Sequence, residues 1–86
     1  MSAMDHLARS PKQLGAIIMR VRRERKLTQA DLAQKVGLRQ EAISKIESGN
    51  GSTRLSKILD VLAALDLDIT IGPRRTSSSA DIEDLF

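Results

Sequence analysis

Cysteine, tryptophan and tyrosine are absent from this 86-residue chain, and the one phenylalanine is the last residue. Without thiols there is no disulfide framework and no thiolate zinc site, a composition compatible with a reducing compartment. Without aromatic rings there is no platform for stacking single-stranded bases. A single histidine, His6, cannot build a histidine-ligated metal site or an acid–base triad. The longest apolar runs, Leu14 to Met19 and Val61 to Leu65, are far too short to span a bilayer. Residues 1–12 show no apolar signal-peptide core. No nucleophile pairs with a base, no glycine-rich loop cradles phosphate, and Ser77 to Ser79 has no catalytic companion. These absences argue against an enzyme, a cofactor or a membrane partner. They leave a cytoplasmic binding module, and a core this small leads one to expect oligomerisation.

Charge is unevenly distributed. The net charge is +3, yet residues 10–49 hold nine basic residues against four acidic ones. Residues 50–71 and 72–86 each carry one more acidic than basic residue. A basic first half on a helical scaffold is the electrostatic footprint of a polyanion binder, the alternative being an ordinary solvated face.

The helical pattern begins at Ser10-Pro11-Lys12-Gln13, where Ser10 can cap, Pro11 suits the first helical position and Gln13 completes a capping box. Leu14, Ile17, Ile18 and Val21 follow the i, i+3, i+4, i+7 stripe, and the pattern fades near Lys26. Gly15 weakens this helix and allows a neighbour to approach. Thr28 caps a second helix with Asp31 at its favourable end; Leu32, Ala33 and Val36 point inward, and Gly37 stops it in a left-handed conformation. A third helix runs from about Gln40 to Ser48, with Ala42, Ile43 and Ile46 inward and Gln40, Glu41, Ser44 and Lys45 outward, ending at Gly49-Asn50-Gly51. Two short helices joined by a tight glycine turn make a helix-turn-helix.

Thr53 can cap a fourth helix from about Arg54 to Leu65, with Leu55, Ile58, Leu59 and Leu62 as its core stripe. Val61, Ala64 and Leu65 add a second apolar side, either an oligomer interface or simply good packing. Leu67, Ile69 and Ile71 then alternate with Asp66, Asp68 and Thr70 before Gly72-Pro73, a strand pattern. A lone strand has no partner in a helical monomer, so pairing with its copy across a two-fold axis is expected. Arg74 to Ser79 reads as linker. The acidic, apolar end with Leu85 and Phe86 can dock on a partner or fray. The implied divisions are an arm (1–9), a DNA-binding and dimerisation domain (10–71) and a flexible tail (72–86).

The stretch Leu27-Thr28-Gln29-Ala30-Asp31-Leu32-Ala33-Gln34-Lys35-Val36-Gly37, followed by Gln40 to Gly49, resembles the Xre/lambdoid-repressor family over about residues 12–65. Cap, small Ala33, turn glycine and the Ile43/Ile46 wedge all fall in register. The resemblance implies a mainly α fold, four to five helices in a lambda-repressor-like helix-turn-helix domain, with the C-terminal strand pairing across a homodimer. It implies that Gln40 reads a base edge, that Gln29 contacts phosphate and braces Gln40, and that Glu41 and Ser44 face the groove. Lys45 and Arg39 are then phosphate contacts. Arg39 stands where the family commonly has a Ser or Thr cap, and it cannot cap. Arg22 and Glu47 match an ion pair tying the first helix to the recognition helix. The Ser-Pro-Lys-Gln-Leu start and the strand plus tail are similar to the HipB-type antitoxins. That likeness implies a repressor that binds double-stranded operator DNA and neutralises a HipA-type serine/threonine kinase toxin. The alternatives are a free-standing or phage-type regulator and a protein-interaction module of the same fold.

Overall fold

The computed structural model of the chain describes residues 6–74. It contains α1 (Pro11–Glu24), α2 (Gln29–Val36), α3 (Gln40–Glu47) and α4 (Leu55–Ala64). Local chemistry explains where the first two begin. The Ser10 hydroxyl accepts from the Gln13 amide, with Pro11 in the first turn. Gln13 closes its box one residue early, because its side-chain oxygen takes the Arg9 amide rather than that of Ser10. Thr28 and Asp31 form the full reciprocal box, side chain to backbone in both directions. Neither Arg39 nor Arg54 caps with its side chain. The expected Thr53 cap is therefore incorrect: α4 starts one residue later, at an N-cap of Arg54.

All four helices stop in the same way. After each, the chain enters a left-handed residue, and amides reach back to carbonyls five and three residues earlier, satisfying two orphan acceptors. Leu27 donates to Arg22, Leu38 to Ala33, Asn50 to Lys45 and Leu67 to Leu62. Gly37 and Gly49 hold that conformation cheaply at φ 70° and 91°. Lys26 and Asp66 hold it without glycine's freedom, at φ 58° and 57°. Three of these turns are followed by a leucine (Leu27, Leu38, Leu67) that packs back on the core. Asp66 and Arg25, the residue before Lys26, form an ion pair at 3.1 Å across the ends of α1 and α4.

The core consists of Ile18, Val21, Leu32, Ala33, Ile43, Ile46, Val61, Leu62 and Leu65. Burial of each large side chain contributes about 1.5–3 kcal/mol. α3 packs on both α1 and α2, and α2 also packs on α4. Gly15 sits where α1 crosses α3, and a β-carbon there would overlap the carbonyl oxygens of Ile46 and Glu47. The face expected for α4 needs correction. Leu62 is buried and Ile58 half-buried, but Leu55 and Leu59 are 65% and 45% exposed, and Val61 and Leu65 take the inward positions. The sequence is apolar on nearly every side here, so periodicity alone did not select the buried face.

The described residues contain four helices and no strand. Residues 67–72 have no regular structure, and Leu67 packs on its own core while Ile69 and Ile71 are 48% and 92% exposed. The tail residues Leu85 and Phe86 lie outside the described residues.

Candidate nucleic-acid interface

The turn at Gly37 sets α3 against α2 so that one side of α3 enters the core. Ile43 and Ile46 are buried, and Gln40, Glu41, Ser44 and Lys45 share the exposed side. Arg39, at the N-cap, is also exposed. These are the positions expected for base reading and phosphate contact, and the structure brings them onto one surface. They span two turns of helix, a dimension suited to a major groove.

Behind this surface lies a chain of polar contacts. The Arg22 guanidinium donates through Nε to Glu47 Oε2 at 2.6 Å and through Nη2 to Glu47 Oε1 at 3.1 Å. The two side chains are only 8% and 1% exposed. The remaining fork of Arg22, Nη1, donates to the Leu27 carbonyl at 2.7 Å, fixing the linker into α2. The expected ion pair is thus present, buried and bidentate, the geometry in which burial of charge is tolerated. Glu47 Oε1 accepts a further bond from Gln29 Nε2 at 3.0 Å, and Gln29 Oε1 accepts from Gln40 Nε2 at 3.5 Å. Among the described residues no buried side-chain nitrogen or oxygen lacks a partner. Asp31, in the α2 cap, has its carboxyl held below the usual carboxylate range by the Thr28 amide first and the Thr28 hydroxyl second.

Sequence reasoning counted Lys12, Arg20 and Arg23 only as net charge. In the structure these three line an open depression with Ala16, Met19 and Ser48 and with the acidic Glu24 and Glu47, beside the C-terminal end of α3. Their spacing along α1 places them on one helix face, a signal that was readable. A separate, mostly apolar cleft of about 290 Å³ is lined by Pro11, Leu14, Ile46, Leu55, Ile58 and Ile69, with Ser10 and Asn50 among its polar residues. Among the described residues no group of His, Asp or Glu could hold a metal ion, and no helix is long and apolar enough to cross a membrane.

Known proteins share this fold. A helix-turn-helix family model matches residues 18–71. Antitoxin HipB of Escherichia coli K12 is 32% identical over 74 residues, covering 86% of this chain and 84% of that protein. The fold is similar to HipB in a HipB–O2 20mer complex, with a TM-score of 0.77, 32% identity and coverage of 84% of this chain and 100% of that one. It is equally similar to a chain of a HipA–HipB–O2–O3 complex, with a TM-score of 0.76, 31% identity and coverage of 83% and 100%. Relatedness over most of both chains, in sequence and in fold, makes this chain a member of the helix-turn-helix family of HipB-type antitoxins.

Proposed function

We propose that this chain is a sequence-specific DNA-binding repressor that also serves as the antitoxin of a HipA-type kinase toxin, acting in the cytoplasm and repressing its own operon. The observation that carries the DNA reading is the exposed α3 face, with Gln40 braced from behind through Gln29 to the buried Arg22–Glu47 pair. Gln40 presents an amide to a base edge, and Glu41 and Ser44 flank it in the groove. Arg39, Lys45 and Gln29 take phosphates, which position the domain without specifying sequence. The HipA–HipB–O2–O3 complex of a relative supports the toxin partnership and a binding rather than an enzymatic role.

Two copies act together. The exposed Leu55, Leu59, Ile69 and Ile71 and the apolar cleft beside them are surfaces a second copy would cover. Residues Ile69 and Ile71 pair as strands across the two-fold axis, with Leu67 marking the point where the chain leaves its own core. Such a dimer binds a pseudo-palindrome with half-sites about one helical turn, ~34 Å, apart or a small multiple of it. The tail, with Leu85 and Phe86 as apolar anchors, adds a weak contact to the toxin, because ordering a free segment offsets much of what it gains.

The test assays one truncation in two ways. Deleting residues 73–86 is expected to leave DNA mobility shifts nearly intact while weakening pull-down of a HipA-type kinase encoded beside this chain. Full kinase affinity after truncation would remove the tail from the interface, and loss of DNA binding would misplace the domain boundary. Failure of the intact chain to bind or inhibit the kinase favours a regulator without a toxin.

A further inference from the structure

We infer that Glu47, although buried and remote from the DNA-facing surface, determines which base Gln40 selects, by fixing the polarity of the amides between them. This rests on the base-reading role of Gln40 proposed above. The contacts follow one another in a forced order. The Glu47 carboxylate, paired bidentately with Arg22, can only accept. The side chain of Gln29 must therefore turn its amino group inward, where Nε2 donates to Glu47 Oε1 at 3.0 Å. That orientation leaves Gln29 Oε1 facing Gln40, and an oxygen there can only accept. Gln40 meets it with Nε2 at 3.5 Å.

The consequence is a subtraction. A free glutamine amide offers two N–H donors and one acceptor oxygen. With one N–H engaged by Gln29, Gln40 has one donor and one acceptor for a base edge. Adenine presents the complement in the major groove, an N7 acceptor beside an N6 donor; guanine presents two acceptors, N7 and O6. The relay thus removes the second donor that would suit guanine, and the discrimination begins at a residue that no base touches.

Glu47→Gln inverts the relay. Arg22 donates only, so the new amide turns its oxygen to the guanidinium and its amino group toward Gln29. Gln29 then reverses, its amino group donates to the Gln40 oxygen, and Gln40 keeps both N–H groups and the second lone pair of its oxygen, so guanine's two acceptors are met as well as adenine's acceptor and donor. Glu47 is a positioning residue here, and the informative readout is a ratio of affinities that a loss of stability alone does not change.

The experiment measures affinity for duplexes that differ only in adenine or guanine at the base pair read by Gln40. The unaltered chain is expected to favour adenine by about 5- to 150-fold, the range of one good bidentate contact. Glu47→Gln should bring that ratio toward parity. Because it also leaves Arg22 less well paired, Gln29→Met provides a second variant that cuts the relay while leaving the Arg22–Glu47 contacts in place, and it too should lose the adenine preference. Arg22→Lys should lower the melting temperature yet keep the adenine preference, since Glu47 remains a charged acceptor. The inference is overturned if Glu47→Gln and Gln29→Met both keep the original ratio while Gln40→Ala abolishes it. If Gln40→Ala itself leaves the ratio unchanged, the base-reading role fails and the relay falls with it.

Discussion

The two halves of this domain treat their chemistry differently. From Ser10 to Gly49 the structure closes on itself: Arg22, Glu47, Gln29 and the Leu27 carbonyl satisfy one another, and Gly15 lets α1 and α3 touch backbone to backbone. From Leu55 onward it stays open, with Leu55, Leu59, Ile69 and Ile71 facing outward beside an apolar cleft. The first half is built to hold one polar face in a fixed pose. The second half leaves several large apolar side chains exposed, which the proposed dimer would cover with a second copy.

The comparison breaks most severely at the buried pair. Glu47→Ala leaves the Arg22 charge enclosed without its partner and is expected to cost about 3–5 kcal/mol, read as a large drop in melting temperature. An unchanged melt would mean that the first half does not depend on this contact. On the open half, Ile69→Asp should shift the chain from dimer toward monomer in sedimentation, while the melting of the monomer itself changes little, because Ile69 is already half exposed. Unchanged dimer mass would place the interface elsewhere.

A smaller effect sharpens the boundary between capping and core. The Asp31 carboxyl is held low by Thr28, so its contribution is present above the ordinary carboxylate pKa and is lost as pH falls through the depressed value. Asp31→Asn should lower stability near neutrality and flatten the acid side of the profile, the two proteins converging at low pH. An acid limb identical in both proteins would remove the cap from that dependence.

The same contrast marks what was legible in the sequence. Ser10, Thr28, Asp31 and Gly37 act at fixed offsets from their own helices, and local rules placed them correctly. The ion pair spans 25 residues and was legible only through family resemblance, since no local pattern links Arg22 to Glu47. The face of α4 was misread because leucine, valine and isoleucine surround it, and only the position of α2 decides that Val61 and Leu65 turn inward. Lys26 and Asp66 gave no signal of their left-handed backbone, which glycine usually announces. The depression at Lys12, Arg20 and Arg23 is encoded as spacing on one face of α1, which net charge along the chain does not carry.

The measurement that bears most directly on the central claim is a pair of binding isotherms for the chain and its Gln40→Ala variant. Both are titrated against a selected pseudo-palindromic duplex and against a scrambled one, at two salt concentrations. The closed half, acting as a pre-set reading face, predicts that the variant loses about 1–3 kcal/mol on the selected site and almost nothing on the scrambled one. Both proteins should show log affinity falling linearly with log salt, with the same slope, because the phosphate contacts proposed for Arg39 and Lys45 are untouched. Equal losses on both duplexes, or affinity for DNA that does not respond to salt, would contradict the account.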